Sequence, residues 1–225
     1  MAWQGRAKSW RASCATSARS SMFTGIVTAT GRVRSASDTA GVQRIAITPP
    51  DGFAAGIAAG ASVAVDGVCL TVSAVAGNAL EFDVVAETLA RTTLGERMTE
   101  GVTVNLERSA RLGDEIGGHL VSGHVSTTGT VIAVETADGA HDLRLRVERD
   151  WMAYIFVKGF VALDGISLTV GETWPEAGEF RVHLIPETLE RTTIGACTPG
   201  DRLNVEIDAM TRATVETVTR IMEAQ

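Results

Sequence analysis

Cys69 lies in Val65-Asp66-Gly67-Val68-Cys69-Leu70-Thr71-Val72, and 98 residues later the pattern returns as Leu163-Asp164-Gly165-Ile166-Ser167-Leu168-Thr169-Val170. A thiol in one copy is matched by a hydroxyl in the other. A thiolate is a competent nucleophile. A hydroxyl donates hydrogen bonds and can relay a proton. His119 and His124 sit together in Gly117-Gly118-His119-Leu120-Val121-Ser122-Gly123-His124. An imidazole titrates near neutral pH and suits general acid–base work. His124 is the better candidate, and His119 better fits a structural residue bonding the inter-copy linker. The ordinary alternatives are a small buried cysteine and threonines chosen for strand propensity.

These residues belong to a chain that repeats itself. Glu87-Thr88-Leu89-Ala90-Arg91-Thr92-Thr93-Leu94-Gly95 returns as Glu187-Thr188-Leu189-Glu190-Arg191-Thr192-Thr193-Ile194-Gly195, 100 residues on. Val104-Asn105-Leu106-Glu107 returns as Leu203-Asn204-Val205-Glu206, and Thr24-Gly25-Ile26-Val27 more weakly as Ser122-Gly123-His124-Val125. A period this long means duplicated domains rather than a solenoid, whose units run ~20–50 residues. Two similar halves offer two similar pockets, which suits an enzyme that joins two copies of one molecule.

Each copy reads as β. Short Val-, Leu- and Thr-rich runs at Ser62–Val65, Cys69–Val75, Leu80–Val85 and Val102–Glu107 are separated by Gly60, Asp66-Gly67, Gly77-Asn78 and Gly101. Arg44-Ile45-Ala46-Ile47-Thr48 alternates with period two. Asp66-Gly67 and Asp164-Gly165 suit tight hairpins. About six short strands per copy suggest a small closed barrel without exposed edges. Helical turns are expected at Thr88–Thr92 and Asp150–Tyr154. Ala209–Gln225 has no Gly or Pro and places Val215, Val218 and Met222 on one face, an amphipathic helix suited to joining subunits.

Composition narrows the function class. The 225 residues are 45% hydrophobic and 21% charged, within the globular range. A net charge of -7 disfavours a polyphosphate partner, and 5% aromatics disfavours a nucleic-acid stacking surface. No apolar run reaches the ~18 residues of a membrane span. Three scattered cysteines, Cys14, Cys69 and Cys197, make a poor disulfide or zinc framework and point to a reducing cytoplasm. No Gly-x-Gly-x-x-Gly follows a strand and opens a helix, so no nicotinamide-binding unit is read.

Residues 1–21 differ from the rest. They hold Arg6, Lys8, Arg11 and Arg19 and no acid, so the remainder carries -11. The segment fits a transit peptide or, the favoured reading, a start codon read upstream of the true initiator Met22. It is expected to be disordered and functionally mute.

The motifs together resemble riboflavin synthase of the α-chain type, built of two lumazine-binding domains. The resemblance is carried by Met22-Phe23-Thr24-Gly25-Ile26-Val27, Gly67–Val72, Asp114-Glu115-Ile116-Gly117-Gly118-His119, Ser122-Gly123-His124, Lys158-Gly159, Gly165–Val170, Ile185–Thr193 and Val205-Glu206-Ile207-Asp208. It implies an all-β fold of two tandem homologous six-stranded Greek-key barrels plus a C-terminal α-helix. The divisions would be 1–21 (leader), 22–118, 119–208 and 209–225 (oligomerisation helix). It implies conversion of two 6,7-dimethyl-8-ribityllumazines into riboflavin and 5-amino-6-ribitylaminopyrimidinedione, with no metal or organic cofactor. It implies a homotrimer with active sites between subunits, and association with lumazine synthase. A non-catalytic lumazine- or flavin-binding protein is the alternative within this fold.

The resemblance also implies a ligand shell. In the first copy it comprises Gly25, Ile26, Val27, Cys69, Leu70, Thr71, Asp83, Val84, Val85, Ala86, Glu87 and Thr88, with Phe23 covering the ring. In the second it comprises Gly123, His124, Val125, Lys158, Ser167, Leu168, Thr169, Leu184, Ile185, Pro186, Glu187 and Thr188. Catalytic candidates are Cys69 as nucleophile, His124 as acid–base, Ser167 as relay, Lys158 as a point charge on a ring carbonyl, and Asp208 as orienter of a neighbouring site or cap of the last helix. His141, His183, Cys14 and Cys197 carry no inferred role.

Overall fold

A computed structural model describes residues 21–39, 41–137 and 140–224. The first barrel is β1 (Ala29–Thr39), β2 (Val42–Thr48), β3 (Ser62–Val65), β4 (Val68–Ala76), β5 (Ala79–Val85) and β6 (Thr103–Arg108). The second is β7 (Thr127–Ala137), β8 (Ala140–Arg146), β9 (Phe160–Leu163), β10 (Ile166–Trp174), β11 (Glu179–Leu184) and β12 (Arg202–Ile207). All pairings are antiparallel. The first barrel closes in the Greek-key order β1-β2-β5-β4-β3-β6, and the second repeats it. The expected all-β duplicated architecture is present, with strand limits shifted by a residue or so. The two helical turns appear at α1 (Ala86–Arg91) and as a 3-10 turn at Arg149–Ala153. A short α2 (Leu94–Arg97) and the repeat's α3 (Pro186–Arg191) complete the connections.

The pleat explains which residues can meet a ligand. Side chains alternate across a strand. In β4, Val68, Leu70 and Val72 turn into the barrel, so Cys69 and Thr71 turn out. In β10, Ile166, Leu168 and Val170 turn in, so Ser167 and Thr169 turn out. The inward set joins Ile45, Ile47, Leu80, Phe82 and Leu106 in one core, and Leu143, Leu145, Phe180 and Val205 in the other. Truncating a buried Phe such as Phe82 costs ~3–5 kcal/mol.

The barrels meet about an approximate twofold axis. Asp66 and Gly67 both have positive φ (43° and 75°), as do Asp164 and Gly165 (43° and 82°), as a two-residue type I′ turn requires. The turn tips abut. A Cβ on Gly67 would lie 2.5 Å from the Gly165 nitrogen, so neither backbone could keep this approach with a side chain there. Asn105 donates through Nδ2 to the Asp164 carbonyl (3.1 Å), and Asn204 to the Asp66 carbonyl (2.8 Å). Their Oδ1 atoms accept from Thr193 (2.9 Å) and Thr93 (2.8 Å). The Asp66 and Asp164 carboxylates accept from the Asn105 and Asn204 amides, both at 2.7 Å. One residue breaks the symmetry. Arg97 reaches Asp164 at 2.8 Å and Asp66 at 3.7 Å, and the repeat places Cys197 where a second arginine would stand.

The terminal helix α4 (Ala209–Glu223) begins at Asp208, whose carboxylate accepts from the Thr211 amide and hydroxyl, both at 2.8 Å. No residue of α4 is buried, and Met210, Val218, Ile221 and Met222 are exposed. Among the described residues no helix is long and apolar enough to cross a membrane.

Candidate active site

Each barrel presents one polar outer face, and each face is completed by a segment crossing from the other copy. Glu107 on β6 accepts from Thr24 N–H (2.6 Å), Thr24 Oγ1 (2.8 Å) and Gly25 N–H (3.1 Å). Glu206 on β12 accepts from Ser122 N–H (2.7 Å), Ser122 Oγ (2.7 Å) and Gly123 N–H (3.0 Å). Two carboxylates thus peg two equivalent loops. The loops then cross. The Gly25 carbonyl accepts from Ser167 N–H at 2.8 Å, and the Gly123 carbonyl from Cys69 N–H at 2.9 Å. Val27 enters the second barrel's core, and Val125 packs against the first's. Gly25 and Gly123 are required here. A Cβ on either would fall 2.6 Å or 2.5 Å from the Cβ of Ser167 or Cys69.

This corrects the grouping of the ligand shell. Gly25, Ile26 and Val27 belong with Ser167, Leu168 and Thr169. Gly123, His124 and Val125 belong with Cys69, Leu70 and Thr71. The repeat showed which segments are equivalent but carried no information on which barrel each adjoins.

The second half-site holds a dyad. His119 Nδ1 lies 2.6 Å from Ser167 Oγ. The imidazole stacks on Phe160, with ring centroids 5.2 Å apart and planes 16° apart. Burial pushes its pKa below the ordinary histidine value, against the opposing charge of Asp208. A neutral imidazole beside a hydroxyl is the base form. His119 meets Ser167, whereas His124 is exposed and bonds Ser122 Oγ through its backbone amide.

The first half-site holds the thiol. Cys69 is half-buried and packs against a small inter-barrel cluster of Phe23, Ala64, Val121 and Ala162. Burial raises its pKa, while hydrogen bonds from Ser21 and Ser62 lower it. Phe23 is wholly buried in that cluster and its backbone pairs with Val121, so it cannot lie over a ring in the site. The apolar cluster between barrels outcompetes an exposed position for the phenyl group.

The remaining candidates divide by exposure. Leu70, Val84, Leu168 and Leu184 face the cores. Thr71, Thr169, Val85, Ile185, Ala86, Pro186 and Lys158 are exposed at the two faces, and Thr88 and Thr188 are partly covered. Asp83 is engaged by Arg44 Nε at 2.8 Å. Glu87 pairs with Arg91 at 3.3 Å, and Glu187 with Arg191. Lys158 has φ 67°, where the repeat places Gly60 at 88°. A non-glycine residue at positive φ is uncommon, so this lysine stands at a strained turn. Two cavities, of about 760 and 610 Å³, flank these groups: one is lined by Thr24, Ile26, Glu107, Arg108 and Asp114, the other by Arg97, Thr193 and Cys197. Neither is lined by Cys69, Ser167 or Lys158. Both half-sites are open faces within one chain.

A duplicated Greek-key barrel with one such polar face per barrel defines a class, and the lumazine binding domain family matches this chain twice, at residues 24–109 and 122–208. The chain is 46% identical to riboflavin synthase of Escherichia coli K12 over 91% of this chain and 95% of that one. It is 42% identical to that of Chlamydia pneumoniae, over 89% and 97%. The crystal structure of LumP with riboflavin superposes with a TM-score of 0.75 at 25% identity, covering 83% of this chain and 99% of that one. LumP with 6,7-dimethyl-8-(1'-D-ribityl) lumazine gives 0.74 at 23% identity, over the same shares. The chain belongs to the riboflavin synthase family of lumazine-binding-domain proteins.

Proposed function

We propose that the chain is a riboflavin synthase. It passes a four-carbon unit from one 6,7-dimethyl-8-ribityllumazine to another, leaving riboflavin and 5-amino-6-ribitylaminopyrimidinedione. The observation that carries this is the pair of equivalent outer faces with unequal chemistry, a thiol on one and a histidine–serine dyad on the other, in a chain of this family.

The dyad suits removal of a proton from the acidic C7 methyl of one lumazine. Ser167 Oγ takes that proton as its own passes to His119 Nδ1. Cys69 supplies a nucleophile toward C7 of the second ring. Thr71 and Thr169 lie one pleat repeat along and pair with ring polar atoms. Lys158 gives a positive charge to a ring carbonyl. Holding both rings face to face offsets up to ~7–11 kcal/mol of a bimolecular barrier. His124 is left to position the Gly123 loop.

The open faces and the uncovered helix α4 support assembly into a homotrimer, with barrel one of one subunit meeting barrel two of another. Association with lumazine synthase is a further expectation, checked by co-sedimentation. The decisive assay incubates the chain with the lumazine. Two lumazines consumed per riboflavin formed is the expected result. Tight fluorescent binding without conversion would make the protein a carrier instead.

A further inference from the structure

The first half-site contains a group that the second half-site helps to interpret. His119, Phe160 and Ser167 meet on barrel two. Stepping back by 98 residues, the offset that relates Ser167 to Cys69, gives Ser21, Ser62 and Cys69. These three also meet. Ser21 Oγ and Ser62 Oγ share a hydrogen bond at 2.5 Å. Ser62 begins β3, which pairs with β4 so that Ala64 stands opposite Cys69. Backbone pairing of Phe23 with Val121 holds both segments in matching positions. Ser21 thus occupies the place beside the thiol that His119 occupies beside the hydroxyl.

We propose that Ser21 is a positioning residue for Cys69, its hydroxyl anchored on Ser62 and turned to the sulfur as His119 is turned to Ser167. This deepens the riboflavin synthase reading and rests on it for its catalytic meaning. It holds for the chain translated through Ser21, and so departs from the reading that starts the protein at Met22 behind a mute segment. Residues 1–20 lie outside the described residues. A hydroxyl that donates to the sulfur while accepting from its serine neighbour favours the thiolate without adding a charge, and it aims the sulfur lone pairs. Burial and the nearby Glu206 carboxylate work the other way. The first half-site is therefore a thiol held by hydroxyls, and the second a hydroxyl held by an imidazole.

The test is alkylation of Cys69 by iodoacetamide in the full-length chain, followed against pH by peptide mapping so that Cys14 and Cys197 do not contribute. Ser21→Ala should move the profile to higher pH and slow alkylation at pH 8 by roughly tenfold, the effect of about one pKa unit. Ser21→Thr, which restores the hydroxyl, should return to the wild-type profile. Riboflavin formation by Ser21→Ala should lose kcat with little change in KM. A Ser21→Ala profile superposed on the wild type overturns the proposal. The alkylation is read without lumazine, so a wild-type chain that makes no riboflavin but shows the shift would fail the enzyme reading alone.

Discussion

The two barrels share topology, turn geometry, loop pegs and the outward Thr71 and Thr169, yet differ at the thiol, the hydroxyl and the groups beside them. Cys69 answers Ser167, Ser21 answers His119, Ser62 answers Phe160, and Gly60 answers Lys158. Structural positions kept their symmetry: Asp66 with Asp164, Asn105 with Asn204, Glu107 with Glu206. The duplication supplies one scaffold twice and lets the outward position of Cys69 and Ser167 diverge while Thr71 and Thr169 stay alike. A reaction between two identical molecules needs that divergence, because one must give and the other receive.

The largest effect is expected on catalysis. His119→Ala should lower kcat by ~10²–10³-fold, in the range for loss of a general base, while His124→Ala loses far less. Burial holds His119 below the ordinary histidine pKa, so the wild-type kcat should stay level down through neutral pH and fall only at lower pH. Equal losses in the two variants would restore the reverse assignment. Cys69→Ser should also reduce turnover substantially, and a wild-type rate would remove the thiol from the mechanism.

Next comes the asymmetry between Arg97 and Cys197 at the turn tips of the inter-barrel seam. Arg97→Ala leaves the buried Asp66 and Asp164 without their cation, and breaking such a group costs ~3–5 kcal/mol. Denaturant unfolding measures it. The same seam gives a pH dependence. Burial pushes Asp66 up to about 8, aided by the charge of Asp164, and burial pushes Asp164 up to about 6. A carboxyl with a raised folded pKa binds its proton more tightly when folded. Its contribution is full below the unfolded value of ~3.9 and is lost as the pH climbs through 6 and then 8. Melting temperature should therefore decline from pH 5 to pH 9. Asp66→Asn should flatten that decline, and an unchanged slope would place the effect elsewhere.

The smallest expected effect lies on the barrel surface. Asp83→Asn removes an exposed pair with Arg44 and should change stability by less than ~1 kcal/mol. It should leave lumazine turnover near wild type, in keeping with a carboxylate occupied by arginine rather than substrate.

Much of the fold was legible. Period-two alternation and Asp-Gly turns located strands and hairpins, since the pleat and positive φ constrain residue type directly. The repeat located the equivalent segments. The crossing of Gly25 to Ser167 and of Gly123 to Cys69 was not legible, because a repeat is the same whether loops stay home or exchange. Phe23 read as a ring cover because an aromatic beside a site motif has no local mark of burial. His119 read as structural because its contact to Ser167 spans 48 residues. One signal was available: Asn105 and Glu107 recur as Asn204 and Glu206, interleaved with the apolar Val104, Leu106, Leu203, Val205 and Ile207. Polar residues repeated within core strands mark buried pegs.

Subunit complementation tests whether barrel one of one subunit works with barrel two of another. Chains carrying Cys69→Ser and chains carrying His119→Ala are unfolded together, refolded as a mixture and assayed with lumazine. If barrel one of one subunit works with barrel two of another, random mixing repairs one interface in four, and activity should return to about a quarter of wild type. Activity no higher than the average of the two variants would contradict the account.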